Sequence, residues 1–156
     1  MNFALDGFGR FVSFSGLPAA GVPAEPGVYV VVRTATTTPV FLSASPAGWF
    51  KGKDPTLPLA ELQAAWVPGE PVLYIGKAAA GQSRTRGLRK RLDEYRRHGA
   101  GHPVGHWGGR MIWQLADSAE LLVGWQVVAD ARAAEKAMIA DFVAMYRQRP
   151  FSNRTG

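Results

Sequence analysis

Two tyrosines stand beside glycines in short β-branched segments, Gly27-Val28-Tyr29 and Tyr74-Ile75-Gly76, and Lys77 follows the second at once. A phenol can relay a proton or orient a water molecule. If the two segments pair as strands, both phenols come to one face; read singly, each is an ordinary strand tyrosine. Lys77 stands where a strand ends and backbone can approach a phosphate. Glu135 is the second feature. Met138, Ile139, Phe142 and Tyr146 follow it at helical spacing, so a helix would carry this carboxylate in line with its apolar stripe. A carboxylate turned toward a core is costly unless it meets a cation or donors. Glu135 is therefore a candidate metal ligand at the edge of the core. The plainer reading puts it at the stripe's boundary, turned outward or paired with Arg132 or Lys136. The third feature is a run of cations, Arg86, Arg89, Lys90, Arg91, Arg96 and Arg97. An arginine aimed at a phosphate stabilises charge developing on its oxygens. Periodicity alone does not single out Arg91 from the surface cations around it.

The elements that must position these groups follow from the pattern. Val28 to Arg33 is a β-branched run after Pro26-Gly27, and Pro71 to Gly76 is a second apolar run; both predict strands. A short strand is expected near Arg10 to Phe14, and Val40 to Ser43 could add another. Leu59, Leu62 and Trp66 predict a helix over Leu57 to Trp66. Thr85 to His98 is the clearest helix, with Leu88, Leu92 and Tyr95 on one face. Gly99 to Gly108 reads as a loop, and Gly109 to Leu115 and Leu121 to Val128 as strands. A final helix starts at Asp130, a suitable N-cap, and ends near Arg147 before Pro150. Strands and helices mix in one domain over residues 1–156. The expected fold is α/β (α+β), with a small, mostly antiparallel central sheet flanked by helices.

Bulk properties narrow the chemistry. The chain has 156 residues, 47% of them hydrophobic and 19% charged, enough apolar material for a real core. It has no cysteine, which excludes disulfides, thiolate metal sites and a cysteine nucleophile. The remaining ligands, His, Asp and Glu, suit ions such as Mg²⁺ or Mn²⁺. Net charge is +6, with much of the excess between Lys77 and Arg97. That block favours a polyanionic partner, or else marks a solvated helix face. No apolar run approaches the roughly 18 to 20 residues that cross a bilayer. Residues 1–12 lack the basic region and apolar block of a secretory signal, so no membrane partner and a cytoplasmic location are expected.

Taken together, Gly27-Val28-Tyr29, Tyr74-Ile75-Gly76-Lys77-Ala78 and Leu88-Arg89-Lys90-Arg91-Leu92-Asp93-Glu94-Tyr95 resemble the core of the GIY-YIG nuclease superfamily. They are especially similar to the N-terminal nuclease domain of the bacterial excision-repair incision protein. The family's later glutamate and asparagine have counterparts, in order, in Glu135 and Asn153. The resemblance runs from about Pro26 to Asn153, and the central tyrosine block with its basic helix is its most specific part. Two departures stand out. Thr34 to Glu70 separates tyrosine motifs that usually lie much closer, and reads as an insertion able to contact substrate through Trp49, Lys51 and Lys53. No recognisable DNA-binding domain is attached.

The resemblance implies a metal-dependent endonuclease acting on nucleic acid, DNA foremost, with 5′-phosphate and 3′-hydroxyl products. Glu135 would bind Mg²⁺ or Mn²⁺. Tyr29 would take a proton from the attacking water and Tyr74 would orient water or phosphate, or the two could exchange roles. A phenol's ordinary pKa is about 10, so Lys77 or the metal would have to lower it. Arg91 would stabilise the pentavalent phosphate. Lys77, Tyr95, Asn153, Arg89 and Lys90 would hold substrate, water or the metal site in place. The protein would act as a monomer or homodimer.

Other readings compete. His98, His102 and His106 are spaced four apart, but Gly99, Gly101, Pro103 and Gly105 interrupt any helix between them. They read as phosphate-contacting or merely exposed loop histidines rather than a zinc site. Gly76-Lys77 lacks the upstream glycine and the hydroxyl residue of a Walker loop, and no serine has a motif for acyl transfer. The alternative functions are a catalytically inactive nucleic-acid-binding module, and a protein-interaction domain that docks a partner through Trp49 and Trp66, both expected to be exposed.

Overall fold

The computed structural model describes residues 3–81 and 86–154. Among these residues four strands form one antiparallel sheet: β1 (Val12–Ser13), β2 (Gly27–Val32), β3 (Val72–Ala78) and β4 (Leu122–Val127). Their spatial order is β1-β4-β2-β3, so β2 is internal and β3 is an edge. The α-helices among the described residues are α1 (Leu59–Ala65), α2 (Leu88–Gly99) and α3 (Ala131–Tyr146). This is the α+β domain with an antiparallel sheet that the pattern predicts.

The run Val28-Tyr29-Val30-Val31-Val32 shows no polar alternation because both faces of β2 are covered. Tyr29 and Val31 face a core built with Leu88, Leu92 and Tyr95 of α2 and with Met111 and Ile112. Val30 and Val32 face a second core with Ile75, Phe142 and Phe3. Apolar residues on both faces are what a strand buried on both sides requires. Asp130 caps α3 as expected, its side chain accepting from the Ala133 amide at 3.1 Å.

Several expectations are corrected. The segment predicted as a strand over Gly109 to Leu115 is a 3₁₀ stretch, Trp107–Gln114, that packs beneath the sheet with Met111, Ile112 and Trp113 buried. Its apolar residues fill the core without sheet pairing, and Gly108-Gly109 admits the tight turns. Of the Val40 to Ser43 strand, only an isolated bridge between Phe41 and Leu115 forms. The basic helix begins at Leu88, and Thr85, its predicted first residue, lies outside the described residues. Trp66 is not exposed: its ring packs edge-on against Phe41 and Phe151, with the Arg33 guanidinium above it. Trp49 is exposed, as expected, beside a tight turn in which Lys51 and Gly52 both have positive φ.

The edge strand β3 is sealed by the chain's own later segment. The Asn153 side chain accepts from the Ile75 N–H at 2.9 Å and donates to the Ile75 carbonyl at 2.8 Å, while the Ser152 N–H bonds to the Leu73 carbonyl. The amide thus completes both hydrogen bonds that an edge residue would otherwise offer to solvent. Ile75 is fully buried, so Asn153→Ala leaves two buried backbone groups unpaired. The expected loss is about 1–3 kcal/mol for each group, read as a lower urea midpoint at unchanged m-value.

Candidate functional site

In the antiparallel register of β2 and β3, Tyr29 lies opposite Gly76 and Val31 lies opposite Tyr74. Tyr29 and Tyr74 are therefore diagonal neighbours on one face, with ring centroids 6.1 Å apart. The glycine of the second motif has a steric reason. A Cβ on Gly76 would run into the Tyr29 ring and come within 2.6 Å of its Oη. Gly76→Ala is expected to force that phenol out of place. Overpacking of this kind costs about 1–3 kcal/mol; thermal unfolding reads it, and the Tyr29 hydrogen bond described below would lengthen or break.

Tyr74 borders a cavity of about 390 Å³ at the edge of the sheet, with the fully buried Tyr29 in its inner wall; Lys77, Arg86, Arg91, Glu135 and Asn153 also line it. Arg91 comes from the first turn of α2, and Glu135 reaches in from α3 on the other side of the sheet. Arg91 Nη1 donates to the Gly105 carbonyl at 2.6 Å and approaches Glu94 Oε1 at 3.3 Å. These two acceptors fix the guanidinium beside the cavity. Glu135 is half-buried, and its carboxylate lies 3.5 Å from Lys77 Nζ rather than against Arg132 or Lys136.

The structure changes the electrostatic picture of the phenols. Burial pushes the Tyr29 hydroxyl well above its usual range, with Tyr74 adding to it; Arg91 opposes. Burial likewise pushes Tyr74 up to about 12, against the pull of Arg91 and with Glu135 adding to the rise. The lowering expected from Lys77 does not occur; Lys77 pairs with Glu135 instead. Both hydroxyls are therefore protonated at neutral pH.

The largest departure from expectation is His106. It is fully buried, not exposed, and its Nε2 lies 2.5 Å from Tyr29 Oη. Its ring stacks on Tyr95 at a centroid distance of 3.6 Å and an interplanar angle of 5°. Burial holds its pKa well below the usual histidine value, and the nearby Arg91 lowers it further. The imidazole is therefore neutral. A phenol is the better donor and an imidazole nitrogen the better acceptor of this pair, so we assign the Tyr29 O–H as donor and His106 Nε2 as acceptor. His98 is also buried, at the end of α2, whereas His102 is exposed.

The remaining predicted residues take different places. Tyr95 is fully buried behind the site, donating its hydroxyl to the Gly109 carbonyl at 2.7 Å. It supports His106 rather than lining the cavity. Asn153 lines the cavity through an amide already committed to Ile75. Arg89 and Lys90 lie outside the cavity, in a neighbouring groove. The sequence left Arg86 and Glu94 among the other charges around the basic helix and His106 among loop histidines; the structure brings all three to the site. Glu94 Oε1 receives Arg86 Nη2 at 2.6 Å as well as Arg91, so one carboxylate orders two cavity cations.

A divalent cation is compatible with this donor set. Among the described residues no three His, Asp or Glu side chains gather, so there is no all-protein cage. One carboxylate, with water and substrate phosphate completing the shell, is a usual way to hold Mg²⁺. Comparisons with family models, with curated proteins and with solved structures find no match.

Proposed function

We propose that this protein is a cation-dependent nuclease that hydrolyses phosphodiester bonds in DNA. The observation carrying this reading is the convergence of Tyr29, Tyr74, Arg91 and Glu135, from four separate elements, on one cavity that also holds Lys77 and Arg86. Two hydroxyls, three cations and one carboxylate suit a phosphate better than an apolar or carbonyl substrate. The resemblance of the motifs to the GIY-YIG superfamily supports the same conclusion.

In this mechanism the scissile phosphate lies against Arg91, whose charge offsets that developing on the phosphate oxygens. Tyr74 orients the attacking water. As the new P–O bond forms, the water proton passes to the Tyr29 oxygen while the Tyr29 proton moves to His106 Nε2. The sugar oxygen leaves as the old P–O bond breaks and takes a proton from solvent. No free phenolate forms in this relay. Glu135 would hold a Mg²⁺ or Mn²⁺ ion, which when bound adds positive charge at the phosphate.

The test is incubation with labelled single-stranded, duplex and branched DNA, and with RNA, in Mg²⁺ or Mn²⁺, beside Arg91→Ala. Metal-dependent cleavage that falls about 10²–10³-fold in the variant is the expected result. The conservative Arg91→Lys keeps the charge and checks that the fold survives. Binding that weakens steeply with salt, without cleavage under any condition, would instead identify a catalytically inactive nucleic-acid-binding module.

A further inference from the structure

Next to the cavity lies a larger groove of about 660 Å³. One wall is the 17–24 segment, with Leu17, Pro18 and Val22; the other is Arg86, just ahead of α2, and the first turns of α2, with Lys90 and Leu92. The walls are tied together. Leu88 N–H bonds to the Glu25 carbonyl, Arg89 N–H to the Pro23 carbonyl, and Arg89 Nε to the Val22 carbonyl, each at 2.9 Å. The amides of Leu88 and Arg89 at the start of α2 are therefore occupied. Among the described residues Asp93 is the one acidic residue on the lining, and it is engaged by Arg96 at 2.6 Å.

Arg86 belongs to both spaces: it lines the groove and also the cavity that holds Tyr29, Tyr74 and Glu135. A strand whose phosphate sits at Arg91 therefore continues past Arg86 into the groove. The groove's volume falls in the range of small-ligand sites. Its makeup, an apolar floor under a cationic rim, matches a nucleotide's flat base and charged phosphate.

We propose that this groove is a subsite for the nucleotide adjoining the scissile phosphate, with the base against Leu17, Pro18 and Val22 and its phosphate on Lys90 and Arg86. The proposal rests on the nuclease reading for its substrate but has its own readout. The probe is a single-stranded deoxytetranucleotide added in chelator, which prevents cleavage, with methyl NMR of Leu17, Val22 and Leu92. Ala24 is an exposed groove residue, so Ala24→Trp fills the space with little threat to the core. Its expected effect is loss of the methyl shifts and about tenfold weaker binding, the size of losing one base's apolar contact. Lys90→Ala is expected to lower the salt slope of binding by about 0.7, one phosphate contact to a single strand. Cleavage of longer DNA with methyl shifts absent, or with Ala24→Trp binding as tightly as the parent, overturns the subsite while leaving the nuclease intact. Groove shifts that Ala24→Trp removes, in a protein that cuts nothing, sustain the subsite and overturn the nuclease. No shift on adding the tetranucleotide overturns the subsite outright.

Discussion

Glu135→Gln should reduce DNA cleavage about a thousandfold or more while leaving the fold intact. The substitution keeps size and shape and removes the charge that would hold the cation. Loss of several kcal/mol of charge stabilisation at the phosphate corresponds to that factor. The partner left behind is not a serious stability problem. Lys77 is 42% exposed and 3.5 Å away, and ion pairs this open to solvent contribute at most about 1 kcal/mol. A second readout separates metal binding from catalysis. Mg²⁺ or Mn²⁺ should raise the Tm of the parent protein in proportion to the logarithm of concentration above its Kd. The variant should show no such rise. A Glu135→Gln protein that cuts as fast as the parent removes the carboxylate from the mechanism.

His106→Ala carries the second large effect. General acid–base groups contribute about 10²–10⁴-fold, and the loss should fall on kcat rather than KM, because His106 touches Tyr29 and not the substrate cavity. His106→Gln sharpens the test. Its side-chain oxygen can accept the Tyr29 hydrogen bond but cannot take the proton, so it should restore stability without restoring kcat. Full rescue by glutamine would reduce His106 to a structural support. The pH dependence has a definite sign. The folded-state pKa of His106 is depressed by burial and then by Arg91, so the unfolded chain binds a proton that the folded one refuses. Stability is then constant above the ordinary histidine range and falls below a pH of about 6.5, by about 1.4 kcal/mol per unit for this group, until the folded ring itself protonates. His98, also lowered by burial, adds to the same acid sensitivity. The acid limb of kcat should lie below the usual histidine range for the same reason, since a protonated His106 can no longer accept from Tyr29.

Much of the sheet was legible because local signals and tertiary demands agree there. The Val28 to Arg33 run predicts β2 on composition alone, and Asp130 marks the start of α3 by its capping chemistry. Tyr29 and Tyr74 share a face because antiparallel pairing with period two leaves no other outcome once Tyr29 is opposite Gly76. His106 was not legible. Its role depends on a contact spanning 77 positions in sequence, and glycine and proline around it signal only a loop. A faint mark did exist at Gly109, where a Cβ would crowd the Tyr95 hydroxyl and the His106 ring, but a glycine in a loop has many possible causes. The 107–114 segment misled for another reason. Its apolar residues are buried by packing beneath the sheet, and a short apolar run does not distinguish that from a strand. Asn153 lines the cavity, yet its amide serves the backbone of β3, a division of labour that sequence order does not express.

That sealed edge also governs how copies of the chain can meet. Open strand edges are the usual route by which sheets of separate molecules join. Here one border of the sheet is β1, only two residues long, and the other has Leu73 and Ile75 already engaged by Ser152 and Asn153. Among the described residues, the middle of the β3 border is thus closed to a neighbouring strand and the β1 border is short. On the β3 side, protection against strand addition is concentrated in one asparagine and the serine before it.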